Sequence, residues 1–332
     1  MIDYDKEQRL AKLLADARPY SLIEFGERLD LSPQHVGKYL KRLAEKGLHV
    51  EGKEGEFIRL TRPLVFFDER LIREKLPRDV NVSLPSLEIL WCTDSTNAQL
   101  MTRRQVNSGH VCLAEYQTAG RGRRQRPWRA PIGGGICMSY AVTFPKQARD
   151  VATTGLVAGV AVRDALEKSG ARGLKLKWPN DLVWRNRKVG GLLCELRSDG
   201  GSAHSHTVII GIGLNYWLDG GAREDISGLG GLEVADLQEA FAGAVPDRND
   251  LVAAVLCGLT EAMRTFHSDG FAPFVNSWRA ADAYRDEPVV VTTSSQSLDG
   301  IARGIDETGA LQLDVNGTIT SIVSAQISMR PA

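Results

Sequence analysis

Apolar residues recur at helical spacing near the N-terminus. Leu10, Leu13 and Leu14 give a first helix an apolar face. Ser21-x-x-Glu24 has the form of a capping box, in which hydroxyl and carboxylate satisfy the open N–H groups of a helix start. It predicts a second helix with Leu22, Phe25 and Leu29 inward. Ser32 caps a third, with Pro33 in its first turn and Val36, Leu40 and Leu43 buried. Gln34, His35, Lys38, Lys41 and Arg42 are left facing out. His49–Glu51 and Phe57–Leu60 flank a Gly-Lys-Glu-Gly turn and read as a short hairpin. The pattern is that of a winged helix-turn-helix, with a domain over 1–62. Residues 62–85 show no clear period and contain Pro63, Pro77 and Pro85. They read as linker over 63–83, with a short helix around Asp68–Lys75.

From residue 84 the periods alternate. Ile89–Trp91 reads as a strand and Asp94-Ser95-Thr96-Asn97 as the start of a helix. Val111–Ala114 is a buried strand, and the glycines 133–135 turn into another. A long apolar-faced helix over Val151–Lys168 precedes strands at 174–177, 182–184, 189–197 and 207–214. Glu224–Gly231 is polar and glycine-rich and reads as a loop. Helices follow from about Val234, over Asp250–His267 and over Phe271–Ala283. The fold class is α+β, a mixed sheet with helices on one side, over 84–281. Residues 282–332 change character: short strands at 289–291, 300–305, 310–313 and 318–323 suggest a small all-β barrel.

Two stretches carry candidate chemistry. In 115–128, Arg121, Arg123, Arg124 and Arg126 fall within six residues, opened by Gly120 and Gly122 and closed by Pro127-Trp128. Glycines allow close backbone approach, and guanidinium forks suit phosphate and carboxylate. A solvated basic loop or an arginine-glycine segment for nucleic acid fits the same residue types. The second stretch, Lys175–Leu182, sets Trp178-Pro179-Asn180-Asp181 between apolar runs. No P-loop pattern and no Gly-x-Ser-x-Gly elbow occurs. The inventory suits stabilising a negatively charged transition state by positioning and electrostatics.

Lys+Arg and Asp+Glu both total 41, so any contact with nucleic acid must come from local clustering. The five cysteines lie scattered, without metal-ligand spacing, which suits a reducing, cytoplasmic setting. The charged N-terminus is no signal peptide, and no apolar run approaches the ~20 residues of a membrane span. His204-Ser205-His206 reads as an exposed hairpin loop rather than a metal site, lacking a third ligand nearby.

Five motifs in order, Ser95-Thr96-Asn97, Gly120–Arg124 with its arginine run, Lys177–Asp181, Arg187–Leu193 and Gly211–Asn215, closely resemble those of the biotin protein ligases. With a helix-turn-helix in front, the chain is most similar to their bifunctional group, the biotin operon repressors. The resemblance implies a class II synthetase-like catalytic fold and a C-terminal SH3-like barrel. It implies adenylation of biotin by ATP with Mg²⁺, then transfer to a lysine of a carboxylase carrier domain. It further implies operator DNA as a partner and a ligand-driven homodimer, with strand 189–197 pairing edge to edge and the arginine loop ordering as adenylate forms.

On the matching positions, the resemblance assigns Ser95, Thr96, Asn97, Gln117, Gly120, Arg121 and Gly122 to biotin. Arg121 and Arg123 lie along carboxylate and phosphate, and Lys188, favoured over Lys177 as the catalytic lysine, neutralises the developing charge. Arg123 is its catalytic companion. Arg123, Arg126, Trp128, Lys177, Asn180, Asp181 and Asn215 serve ATP, with Asp181 or Asn180 able to reach Mg²⁺ through water. The chain supplies no resident metal site. Gln34, His35, Lys38, Lys41 and Arg42 would contact DNA. Two departures stand out: Gln125, where the family often has glycine, and Cys137, where an aromatic ring often packs on the ligand. A ligand-sensing transcription factor without ligase activity, and a ligase for lipoate, stay open beside this reading.

Overall fold

A computed structural model of the chain describes residues 3–52, 57–145, 151–197, 205–229, 232–292, 296–323 and 328–331. Glu54 and Glu56 of the N-terminal hairpin and His204 lie outside them.

Three helices form first: α1 (Tyr4–Leu14), α2 (Leu22–Leu29) and α3 (Pro33–Glu45). The capping box is present, with Ser21 N donating to Glu24 Oε2 at 2.7 Å and Glu24 N donating to Ser21 Oγ at 3.2 Å. Leu10, Leu14, Phe25, Leu29, Val36, Leu40 and Leu43 close one apolar core, with Leu13 and Leu22 at its rim. Strands β1 (Val50–Glu51) and β2 (Arg59–Leu60) pair antiparallel beside it. Gln34, His35, Lys38 and Lys41 are exposed along α3. Arg42 departs from the helical expectation. Its guanidinium turns inward, 2.7 Å from Glu7 Oε2, and Glu7 is fully buried. Lys46 and the indole Nε1 of Trp91 bond the same carboxylate. A carboxylate at that depth needs partners, and Arg42 is close enough to be one.

The segment 63–83 is not a linker. It holds α4 (Glu69–Lys75) and α5 (Arg78–Val82), and Phe67, Ile72, Leu76 and Val80 enter the main core. Its four-residue apolar spacing was present in the sequence but interrupted by Pro77. The approach to it is pinned from α10 (Arg248–Asp269). Arg248 Nη2 donates to Val65 O at 2.9 Å and to Glu115 Oε2 at 2.6 Å, and Asn249 Nδ2 donates to Phe66 O at 3.1 Å.

The central sheet runs in the order β3 (Ser86–Thr93), β4 (His110–Gln117), β5 (Gly135–Pro145), β9 (Ser205–Asn215), β8 (Arg187–Arg197), β7 (Asp181–Trp184), β6 (Leu174–Lys177). β3 and β4 are parallel and the other pairs antiparallel, so the sheet is mixed. Strand alternation sends Val111, Leu113, Met138, Tyr140, Ile210 and Ile212 to one face. There they meet α7 (Thr154–Lys168), α10 and α11 (Ala272–Ala281). The helices are not confined to that side. α6 (Thr96–Thr102) packs on the opposite face, its Leu100 against Cys112, Ala141 and Ile209. The rest of that face is left for the cavity described below. Residues 220–227 form a helix, α8, which takes in 224–227 of the loop expected over 224–231 (230 and 231 lie outside the described residues), with Asp219 Oδ1 accepting from Ala222 N at 2.7 Å; α9 spans Leu237–Ala240.

The C-terminal strands β10 (Pro288–Thr292), β11 (Ser297–Ile305), β12 (Leu311–Val315) and β13 (Thr318–Ile322) are joined by one more than the sequence suggests, β14 (Ser328–Pro331). They form an antiparallel sheet ordered β13-β12-β11-β10-β14. Trp178 is fully buried, and its Nε1 donates to Gly309 O at 3.2 Å, tying this sheet to the central one. Among the described residues no helix is long and apolar enough to cross a membrane.

Candidate active site

Two glycines make the floor. Gly211 and Gly213 alternate on β9, so both face away from the helical layer. A Cβ at Gly211 would lie 2.4 Å from Asn97 Oδ1, and one at Gly213 would lie 2.4 Å from Trp128 Cε2. The missing β-carbons let Asn97 and Trp128 seat against the strand, and both glycines line a cavity of about 870 Å³ between the sheet and the arginine loop. It is lined by every small-molecule residue picked from the sequence except Gly120. That glycine is a spacer, because a Cβ there would lie 2.7 Å from Trp128 O and 2.8 Å from Gln117 Nε2.

One end is a neutral hydrogen-bonding niche. Thr96 N donates to Gln117 Oε1 at 2.8 Å, and Ser139 Oγ lies 2.7 Å from Thr96 Oγ1 and 2.5 Å from Asn97 Oδ1. Asn97 is spent on the protein: Nδ2 donates to Leu193 O at 3.2 Å and to Glu195 Oε2 at 2.7 Å. It supports the niche more than it offers donors to it. Arg121 stands at this end as well, its Nη2 3.1 Å from Glu195 Oε1. Cys137 lies under the niche opposite Gly213 on β5, and burial pushes its thiol up to about 11.

The other end is cationic. Lys177 Nζ is 2.9 Å from Asp181 Oδ2 and Lys188 Nζ is 2.6 Å from Asp181 Oδ1. Burial alone would raise the Asp181 carboxyl, but Lys188 and then Lys177 outweigh it and hold it well below its ordinary range. Lys175, on the same strand face as Lys177, is exposed and donates to Ala280 O at 3.3 Å. Arg123 reaches in from the loop, its Nη1 3.4 Å from Asn180 Oδ1. Burial pulls its guanidinium below the usual value, and Asp181 opposes that. Asn215 is buried and donates from Nδ2 to Lys188 O and Ala235 O, while its Oδ1 has no hydrogen-bond partner among the described residues.

Lys188 reaches this end through a β-bulge. Leu182 pairs with Gly190, but Val183 pairs with Lys188, so β8 carries Val189 as an extra residue. Simple alternation from Gly191 would send Lys188 to the helical face. The bulge returns it to the cavity, where a Cβ on Gly191 would lie 3.2 Å from Lys188 Nζ.

The arginine loop is folded on itself. Gly122 N donates to Arg126 O at 2.7 Å and Trp128 N to Gly120 O at 2.8 Å. Arg124 and Gln125 at its tip both take φ of 57°, the left-handed region that favours glycine.

Several lining residues escaped the sequence. Ser139 and Glu195, which bond lining residues from behind the cavity wall, looked like ordinary strand residues. Ile226, Leu229, Leu232 and Val234 bring an apolar wall from α8 and its sequel, and Thr292, Ser297 and Met329 come from the C-terminal sheet. The Gly-x-Gly at 211–213 was a usable signal; the C-terminal residues had none.

The comparisons agree with this geometry. A family model described as "Biotin/lipoate A/B protein ligase family" matches residues 90–215, and one described as "Biotin protein ligase C terminal domain" matches 286–330. The chain is 34% identical over 324 residues to the bifunctional ligase/repressor BirA of Salmonella typhimurium, covering 97% of each. The chain belongs to the biotin protein ligases. To the Escherichia coli ligase/repressor BirA it is 33% identical, over 98% of this chain and 97% of that one. Among solved structures, the biotin protein ligase of Aquifex aeolicus in complex with biotin and ATP superposes with a TM-score of 0.64 at 28% identity, over 75% of this ligase and 100% of that chain.

The donor set does not form a resident Mg²⁺ site. Asp181 is already held by two ammonium groups, and no cluster of three ligating His, Cys, Asp or Glu side chains occurs among the described residues. A divalent ion would have to enter on the nucleotide's own phosphates.

Proposed function

We propose that the chain joins biotin to a lysine of a carboxylase carrier domain, through biotinyl-5′-AMP. One observation carries this reading: a single cavity holds a neutral hydrogen-bonding niche at one end and Lys188, Arg123 and Asn215 at the other. The bicyclic urea of biotin occupies the niche at Ser95, Thr96 and Gln117. Its acyl chain crosses Gly211 and Gly213, and its carboxylate arrives beside Lys188. A carboxylate oxygen attacks the α-phosphorus of ATP, the bond to the bridging oxygen breaks, and pyrophosphate leaves. Lys188 and Arg123 hold the negative charge that builds on the phosphoryl oxygens. Asp181 fixes the Lys188 ammonium in place by its ion pair. The carrier's lysine amine, once deprotonated, then attacks the acyl carbon and AMP leaves. The enzyme needs no covalent nucleophile, which fits a cavity lined by amides, hydroxyls and cations.

The test is incubation with ATP, Mg²⁺, labelled biotin and a carrier domain. Biotin-dependent ATP–pyrophosphate exchange and label on the carrier are expected; neither occurring would leave a ligand-sensing factor. Lipoate in place of biotin decides the acid.

The N-terminal unit acts as a winged helix-turn-helix that represses transcription when adenylate is bound. Gln34 and His35 at the start of α3 would face base edges and Lys38 and Lys41 the phosphates. The His35 Nδ1 atom is 2.8 Å from Ser32 Oγ, which leaves Nε2 for a base. Arg42 drops out of this set. The C-terminal sheet closes as an SH3-like barrel, and the protein dimerises on ligand binding. β7 covers only Arg187–Gly191 of β8, so the edge of Leu192–Arg197 away from β9 has no strand partner among the described residues. Sedimentation with and without biotin and ATP tests the dimer, and binding to labelled upstream DNA under the same conditions tests repression.

A further inference from the structure

Glu195 lies behind the niche, not on its surface. Its carboxylate receives Arg121 Nη2 at 3.1 Å through Oε1 and Asn97 Nδ2 at 2.7 Å through Oε2. Arg121 and Asn97 line the cavity; Glu195 does not. Apart from Arg121, the side chains gathered at this end (Ser95, Thr96, Asn97, Gln117 and Ser139) are neutral. At the other end two lysines share the single carboxylate of Asp181. The pairing therefore leaves the cavity electrically polar, with one end balanced and the other in cationic excess.

We infer that Glu195 determines substrate specificity and orientation by cancelling the charge of Arg121. The inference rests on the biotin-ligase reading of the cavity. An acid with one carboxylate and an uncharged head then has one favourable direction, carboxylate toward Lys188. With Arg121 uncancelled, the niche would attract a second anion, and acids charged at both ends would bind. Rejection of a wrong ligand requires such an element as much as attraction of the right one. Glu195 touches neither biotin nor ATP in this scheme and acts only through Arg121 and Asn97.

The experiment is calorimetric titration of the full chain with biotin and with a straight-chain dicarboxylic acid of biotin's length. The unaltered chain should prefer biotin by about a hundredfold or more. Glu195→Gln should weaken biotin and strengthen the diacid, shrinking that preference by about tenfold or more. Glu195→Gln combined with Arg121→Gln removes both charges and should restore rejection of the diacid, a rescue that a merely structural role would not give. Should Glu195→Gln fail to fold, Arg121→Gln alone decides. It leaves an anion at the niche, so the diacid must bind still more weakly. A diacid affinity that stays put or falls in Glu195→Gln, or rises in Arg121→Gln, overturns the inference while leaving the ligase reading intact. An unaltered chain that ignores biotin overturns both.

Discussion

Lys188 Nζ and Asp181 Oδ1 are 2.6 Å apart on neighbouring strands, although strict alternation along β8 from Gly191 would put Lys188 on the other side of the sheet. One extra residue, Val189, makes that contact possible. The cationic end of the cavity thus depends on a local irregularity of the ladder.

Lys188→Ala should lower the rate of biotin adenylation by about a hundredfold or more, as loss of one charge-stabilising group does. The fold should persist, because the side chain stands at the cavity rather than in the core. Single-turnover formation of biotinyl-AMP measures it, with circular dichroism as the control. An unchanged rate removes Lys188 from the mechanism.

Gly213→Ala places a methyl where the Trp128 indole now rests, 2.4 Å from Cε2. The indole must leave the floor, and the arginine loop with it. KM for ATP should rise about tenfold, with tryptophan fluorescence shifting toward that of exposed indole. Equal KM values would mean that the loop does not depend on this seat.

Gln125 holds φ of 57° at the loop tip. Glycine adopts that region freely, so Gln125→Gly should relieve about 1 kcal/mol of local strain. Protease cleavage within residues 121–128 of the ligand-free chain should slow. Faster cleavage would show that added backbone freedom outweighs the relief.

Asp282 links the central and C-terminal sheets. Its Oδ1 accepts from Tyr284 N at 3.0 Å, while the buried Oδ2 has no hydrogen-bond partner among the described residues. Burial raises its carboxyl from 3.8 to about 6. Between those values the native chain binds more protons than the unfolded one, so this group's contribution to stability falls as pH rises from 3.8 to about 6 and is flat above. Asp282→Asn should therefore gain about 1–2 kcal/mol over the unaltered chain at neutral pH, with the gap closing in acid. Urea melts at pH 4 and pH 7.5, chosen as approximate bracketing conditions, report it; a gap independent of pH removes the titration from the account.

Glu7→Gln leaves Arg42 and Lys46 without their shared anion and weakens the tie to Trp91. A loss of about 1–3 kcal/mol is expected, less than for a wholly buried pair because Arg42 is 25% exposed and Lys46 12%. Hydrogen exchange should quicken across α1 to α3 before it quickens in the central sheet. Uniform quickening would mean that the two units melt as one.

The sequence by itself determined the local elements and most of the residues that meet at the cavity. Capping residues, helical spacing and strand alternation are interactions between near neighbours, so Ser21, Glu24, Ser32 and the apolar faces of α1 to α3 were legible. So were Gln117, Arg123, Asp181 and Lys188, because their motifs are contiguous. Tertiary structure decided what depends on distance in space. It turned Arg42 toward a buried Glu7, folded the supposed linker into the core, and set α6 on the sheet face opposite α7, α10 and α11. It placed Arg121 at the niche by way of Glu195, and brought Thr292, Ser297 and Met329 from the C-terminal sheet to the cavity. The physical reason is common to all of these. A buried charge takes whichever partner the packed chain brings within reach, and a strand's face depends on its register, which a single bulged residue reverses.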